Sequence, residues 1–175
     1  MLSPKIETER LILRRYKETD IDAIYEIITD DRLATYLNFP KLTKEEELEN
    51  IKIWIAEADE DKKEKWVIER KTDGVVVGNI NVNSITKKHN YCNVGYIIRY
   101  DYWGNGYATE ALKAVTDHLL NNSGYYLVEC SCNELNKQSI KVMLNAGFKK
   151  DGYIANRRLN KDGTYSGVEY YSKSK

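Results

Sequence analysis

The segment Gly95 to Ala111, GYIIRYDYWGNGYATEA, constrains the fold of this chain more than any other stretch. It joins an apolar strand-like run to a helix through a turn that contains two glycines. On the helical side Ala108, Ala111, Leu112, Val115 and Leu119 share one face, and Gly124 supplies a stop. A strand delivered through Gly104-Asn105-Gly106 into a helix start aims several backbone amides at one point. Glycines remove the Cβ atoms that would hold an anion away, and the helix amino end adds unpaired N–H groups and a favourable dipole. A pyrophosphate fits such a turn without a basic side chain. No Gly-Lys-Ser/Thr follows as in a nucleotide-triphosphate loop, and no third glycine stands at dinucleotide-fold spacing. By itself the turn is also open to a plain reading, two glycines of structural use only.

The flanking chain supplies the rest of a mixed α/β sheet. Thr8 to Tyr16 alternates around Leu11 and Leu13 and predicts a strand with one buried face. A helix follows on Ile21, Ile24, Tyr25 and Ile28, with Thr19 and Asp20 expected to accept from its first amides. Thr43-Lys44-Glu45-Glu46 has the form of a capping box and starts a second helix that runs to about Ala58. Trp66 to Lys71, Val75 to Asn83 and Tyr91 to Arg99 predict an antiparallel meander, turned first at Asp73-Gly74. Beyond the glycine turn and its helix come a strand over Tyr125 to Cys132, a short helix from Asn136 to Ala146 ended by Gly147, and a return to strand from Phe148. A terminal hairpin turns at Asp162-Gly163. No repeat or linker interrupts the order, so residues 1–175 read as a single domain.

Composition removes other classes. Lys plus Arg and Asp plus Glu are 27 each, so no global field draws in nucleic acid or an anionic membrane. The charged stretch Glu57 to Lys65 reads as a solvated connection. No apolar run is long enough to span a bilayer, and the start, Met1-Leu2-Ser3-Pro4-Lys5, lacks a signal-peptide core, which predicts a cytoplasmic protein. Cys92, Cys130 and Cys132 form no Cys-x-x-Cys metal or redox signature and read as free, buried thiols. No metal is expected.

At this point the sequence resembles the GNAT acetyltransferases, and within them the ribosomal-protein N-acetyltransferase-like (RimJ/RimL-type) branch. Thr8-Glu9-Arg10-Leu11-Ile12-Leu13-Arg14 is similar to that branch's opening strand. Gly95-Tyr96 and Tyr102 to Ala111 are similar to its acetyl-CoA motif, and Asn136-x-x-Ser139 with Ala146-Gly147-Phe148 to its next helix and exit. The resemblance covers nearly the whole chain. It implies the GNAT fold, α/β (α+β), with a central, largely antiparallel sheet of about seven strands flanked by helices. Two central strands part in a V-shaped gap. It also implies that the strand end at Ile97, Ile98 and Arg99 lends backbone groups to the acetyl carbonyl and pantetheine arm. Trp103, Gly104, Asn105, Gly106, Tyr107, Ala108 and Thr109 surround the pyrophosphate, and Asn136 and Ser139 meet the cofactor from the far side of the gap.

Two departures from the family pattern bear on proton transfer. Many members place a Tyr seven residues after the helix Asn to protonate the leaving thiolate; here that residue is Met143, which donates nothing. Ser139, one helical turn from Asn136, is the substitute expected to donate directly or through water. Relatives in the branch often carry a Glu two residues before the Gly-Tyr, and here that residue is Asn93, which accepts no proton. A water-relayed base or an amine arriving already neutral is then required. His89 titrates in the useful range but reads as a loop residue, and His118 as structural. Tyr36, Tyr91 and Tyr96 are candidates to line an acceptor pocket or to sit half-buried in the sheet, and Arg157 and Arg158 to meet an acidic acceptor, the cofactor phosphate or solvent.

The resemblance implies an acetyl-CoA-dependent N-acetyltransferase that moves the acetyl group to a primary amine in a ternary complex, releasing CoA. The acceptor is a peptide or protein N-terminus, possible in a ribosomal protein, or a small amine. The protein is expected as monomer or homodimer. The alternative is a weakly catalytic acyl-CoA-binding or regulatory protein of the same fold.

Overall fold

The computed structural model describes residues 3–33, 37, 41–59 and 63–175. In chain order its elements are β1 (Ile6–Glu7), β2 (Leu11–Arg14), a 3-10 turn (Glu18–Asp20), α1 (Ile21–Thr29), α2 (Lys44–Asp59), β3 (Lys65–Arg70), β4 (Val76–Thr86) and β5 (Tyr91–Ile98). There follow α3 (Tyr107–Asn121), β6 (Leu127–Asn133), α4 (Lys137–Asn145), β7 (Lys149–Leu159) and β8 (Tyr165–Ser174). The eight strands make a sheet in the order β1-β2-β3-β4-β5-β6-β8-β7. This is one strand more than expected, because β1 has two residues and is too short to register as an alternation.

Local chemistry sets most of these boundaries. Leu11 and Leu13 on β2 are fully buried while their neighbours are not, as the alternation requires. The capping box at α2 is formed: the Thr43 N–H donates to Glu46 Oε2 at 2.7 Å, and the Glu46 N–H donates to Thr43 Oγ1 at 3.2 Å. The start of α1 differs from expectation, since Asp20 gives it no side-chain cap. Its carboxylate instead accepts the Lys17 N–H at 2.8 Å and a two-pronged contact from Arg14, at 2.9 and 2.8 Å. A buried guanidinium outcompetes a neutral amide for a carboxylate, so Asp20 ties β2 to α1 rather than capping the helix.

Helices cover both sides of the sheet. On one, α3 brings Ala111, Leu112, Val115 and Leu119 against Val77, Ile80, Val82, Val94 and Val128. On the other, α1 and α2 bring Ile24, Ile27 and Ile51 against Tyr16, Val67 and Val76. Each fully buried aliphatic side chain contributes about 1.5–3 kcal/mol by leaving water, so neither layer is dispensable. Met143 and the three cysteines are buried, and the cysteines are unpaired, as read from the sequence.

One feature of the sheet positions everything that follows. All neighbours are antiparallel except β5 and β6, which are parallel and pair only at Tyr91–Leu127, Cys92–Val128 and Asn93–Glu129. Beyond that rung β5 stays with β4 as far as Ile98–Gly78, and β6 stays with β8 as far as Asn133–Val168. The two strands part, and a gap opens between them.

Candidate functional site

The gap widens into a cleft of about 550 Å³. Its β5 wall holds Asn93, Tyr96, Ile97 and Ile98, its β6 wall holds Cys130, Ser131, Cys132 and Asn133, and Asn136, the N-cap of α4, lines it with Ser139 and Val142 of that helix. At the wide end stand Trp103, Gly104, Gly106, Tyr107, Ala108 and Thr109. Most residues singled out in the sequence therefore converge. Arg99 and Asn105 are not on the cleft wall. The Arg99 N–H is engaged by Val77 O at 2.8 Å and its guanidinium by Glu26 at 2.6 Å, while the Ile98 carbonyl accepts the Trp103 indole N–H at 2.8 Å. Trp103 thus fastens the turn to the end of β5.

The turn itself is built as its composition predicts. Gly104 and Gly106 have φ of 77° and 79°, a region that side chains with a Cβ avoid, and a Cβ at Gly104 would meet nothing within 4 Å. Gly106 serves as the N-cap of α3 without any side-chain cap. The first backbone bond of the helix is Glu110 N–H to Gly106 O at 3.0 Å, so the amides of Tyr107, Ala108 and Thr109 precede it, and these three residues line the cleft.

The back of the turn is held by residues some hundred positions away, which sequence reading did not connect. The Arg10 guanidinium donates to the Asn105 carbonyl at 2.9 Å and to Glu110 at 2.7 Å, the Arg10 N–H reaches Glu110 Oε1 at 2.9 Å, and the Thr8 hydroxyl donates to the same oxygen at 2.6 Å. Burial raises the Glu110 carboxyl, but these donors from Thr8 and Arg10 outweigh it and hold the group below the usual carboxylate range. The Asn105 amide folds inward to the Tyr102 and Trp103 carbonyls at 3.0 and 3.1 Å. The TER triplet before β2 is therefore a latch on the glycine turn.

At the α4 side, Asn136 caps the helix: its Oδ1 accepts the Ser139 N–H at 3.0 Å. The Ser139 hydroxyl lies 2.8 Å from the Tyr96 hydroxyl. Burial pushes the Tyr96 phenol well above its ordinary range, offset in part by the Ser139 bond, so this pair is a neutral hydrogen-bonded couple. Burial likewise pushes the Cys132 thiol up to about 11 and the Cys130 thiol further, so both stay protonated at neutral pH.

The opposite mouth of the cleft carries carboxamides. Asn79, Asn81 and Asn83 of β4 join Asn93 on its wall, and the Tyr16 hydroxyl donates to Asn81 Oδ1 at 3.2 Å. The alternation Asn79-Ile80-Asn81-Val82-Asn83 was a legible sign of a polar row. Tyr102 of the same motif also lines the cleft, as do Lys141 and Asn145, which were not foreseen. Among the described residues, its charged lining is Lys141 and Arg158, both cationic. His89 lies in an exposed 3-10 turn away from the cleft. His118 is bound by Glu64 at 2.9 Å and Ser123 at 3.1 Å, both through Nε2, so it relays nothing between them. Tyr91 pairs below the vertex of the gap, Arg157 is exposed, and Tyr36 lies outside the described residues. No group of three or more His, Cys, Asp or Glu able to hold a metal occurs among the described residues, and no helix there is long and apolar enough to cross a membrane.

Known proteins share this fold. The chain is 27% identical over 170 residues to an uncharacterized N-acetyltransferase of Bacillus subtilis, YoaA, covering 97% of this chain and 96% of that one. Among solved structures it is similar to RimL, the ribosomal L7/L12 α-N-protein acetyltransferase in complex with coenzyme A, with a TM-score of 0.87 at 19% identity and 98% of each chain covered. It is equally similar to the ribosomal-protein-S5-alanine acetyltransferase of Vibrio fischeri, with a TM-score of 0.87 at 20% identity, covering 98% of this chain and 96% of that one. The model of the acetyltransferase (GNAT) domain matches residues 10–149, a span that runs from the latch on the glycine turn through the gap to α4. With four-fifths of its length inside that match, the chain belongs to the GNAT family and is an N-acetyltransferase.

Proposed function

We propose that the protein transfers the acetyl group of acetyl-CoA directly to a primary amine, with both substrates bound together, and that the acceptor is a peptide N-terminus or a small amine. The observation that carries this reading is the splayed β5–β6 pair, which opens beneath the amino end of α3. The residues present fit the donor. An anion at Gly104 would meet open space where a side chain would stand, the amides of Tyr107, Ala108 and Thr109 at the start of α3 would hold its pyrophosphate, and Asn136 and Val142 would flank the path of a pantetheine arm. When bound, acetyl-CoA supplies an activated thioester.

The chain's own part is to orient and to move protons. Ser139, backed by the Tyr96 hydroxyl at 2.8 Å, protonates the leaving thiolate in the role that Met143 cannot fill. Neither cleft cysteine is ionised at neutral pH, which favours direct attack over an acyl-cysteine intermediate. RimL bears a name that describes a protein α-amine as acceptor, and the name of the Vibrio fischeri enzyme describes alanine of ribosomal protein S5. The carboxamide row Asn79, Asn81, Asn83 and Asn93 suits the backbone amides of such a peptide.

A second reading, cofactor binding without turnover, is favoured by one observation: the described cleft lining contains no carboxylate. Thiol release separates the two readings. Serine- and alanine-initiated peptides, polyamines and amino acids are offered with acetyl-CoA, and at least one should release free CoA. Ser139→Ala should then lower kcat roughly 10- to 100-fold with little change in the KM for acetyl-CoA. Tight acetyl-CoA binding with no release for any amine would leave only the second reading standing.

A further inference from the structure

The base that the cleft wall lacks stands one strand away. Asn93 and Glu129 are partners on the last rung joining β5 to β6 before the gap opens. On β5, Cys92 and Val94 point into the core beneath α3, which turns Asn93 to the opposite side. On β6, Val128 and Cys130 point into that same core, which turns Glu129 to the side of Asn93. The two side chains are thus neighbours at the vertex, on the face from which an acceptor meets the carboxamide row. The Glu129 carboxylate is only partly buried and, among the described residues, forms no hydrogen bond or ion pair. Its partial desolvation is not offset by any ion pair or hydrogen bond of the side chain.

We infer that Glu129 is the proton acceptor of the transfer reaction, reached from the amine through a water held at Asn93. As the amine nitrogen bonds to the acetyl carbon, its proton passes through that water to the Glu129 carboxylate, the carbon–sulfur bond breaks, and the thiolate leaves with a proton from Ser139. Ser139 takes a proton back from water as Glu129 gives its own up to water, so both groups are restored and the net products are the amide and free CoA thiol. The groups around Glu129 agree with this role. Burial and Asp151 of β7 push its carboxyl upward, Ser172 faces it from β8 and Asn93 from β5, and Lys149 lies one strand further along the same rung. A carboxyl raised in the folded state destabilises the fold when ionised at neutral pH. Glu129→Gln should therefore leave the melting temperature unchanged or higher while activity falls, a pattern that a structural role would not give.

The inference rests on the acetyl-transfer reading, and its test tells the two apart. Carbon-13 labelling of the glutamate carboxyls, with Glu129→Gln to assign the signal, should show Glu129 titrating above the ordinary value of about 4.3 and shifting when acetyl-CoA saturates the protein. A signal at the ordinary value and indifferent to acetyl-CoA overturns the inference whatever the turnover. With an accepted amine, Glu129→Gln should lower kcat roughly 10²- to 10⁴-fold and remove the acid limb of the kcat/KM profile, and Asn93→Glu in that background should restore both. A variant that keeps its rate and its acid limb overturns it as well. Failure of the wild-type protein to bind acetyl-CoA by calorimetry removes the transfer reading and this inference with it, before any variant is made.

Discussion

Arg10 and Glu110 carry the residue-scale lesson. Each is a charged side chain inside a separate sequence motif, and together they clamp the glycine turn. Removing the guanidinium frees the Asn105 carbonyl and the back of Gly106, whose absent Cβ would lie 3.4 Å from that guanidinium. Arg10 is nearly half exposed, so water offsets much of its ion pairing, and the effect should show on the turn more than on the fold. Arg10→Ala is expected to weaken acetyl-CoA by about 1–2 kcal/mol, roughly 5- to 30-fold in Kd, with a smaller effect on stability; calorimetry and denaturant titration measure the two separately. Glu110 adds a pH dependence of known sign. Its folded pKa is depressed, so its contribution is present above the unfolded value of about 4.3 and is lost as pH falls through the folded value. Glu110→Gln should be less stable than the parent near pH 7 and converge with it as pH falls through the folded value. The triplet Thr8-Glu9-Arg10 was visible as a motif; its partner was not, because the contact joins residues some hundred positions apart.

At the scale of elements, periodicity and caps carried most of the information. Leu11 and Leu13 fixed β2, the Thr43 box fixed the start of α2, and Gly147, at φ 88°, ended α4. What escaped were features that depend on a neighbouring strand. The β4–β5 register slips between Val82 and Ser84, and β3–β4 slips between Ile68 and Glu69. An alternating sequence reads the same with or without such an extra residue, so a bulge leaves no trace in the pattern. Gly78 is the residue at which this matters. A Cβ there would lie 2.1 Å from the Ile97 carbonyl oxygen and 2.9 Å from the Ile98 side chain, so the end of β5, which is the cleft wall, sits where only glycine permits. Backbone cannot swing aside as a flexible side chain does. Gly78→Ala should cost about 1–3 kcal/mol of stability by overpacking, read from denaturant midpoints at unchanged m-value. It should also raise the KM for acetyl-CoA, because β5 must retreat into the gap. A parent-like midpoint would show that β4 and β5 part freely at this point.

The whole molecule consists of two sheet portions joined along β5 and β6 at the three rungs below the gap, with α3 packed across the seam and α4 beneath the open end. Nothing in the residues of either strand announces where their pairing stops; family resemblance supplied the gap, and the register then located its vertex at Asn93 and Glu129. This construction predicts how the molecule responds to its donor. A ligand that spans the opening touches β5, the start of α3 and the start of α4, and so links parts that backbone pairing leaves apart. Saturating acetyl-CoA at a hundred times its Kd should stabilise the fold by about 2.7 kcal/mol and raise the melting temperature by roughly 5–10 °C. The stabilisation should be uneven. Hydrogen exchange should slow most at Tyr96 to Ile98, at Gly106 to Thr109 and around Ser139, with β1 to β3 protected only by the global term. If protection rose instead over β1 to β3 and left the glycine turn unchanged, the cofactor would be bound outside the gap. A rise in melting temperature without local protection would mean that β5 and β6 are already rigid in the free protein, with the gap held open by α3 alone.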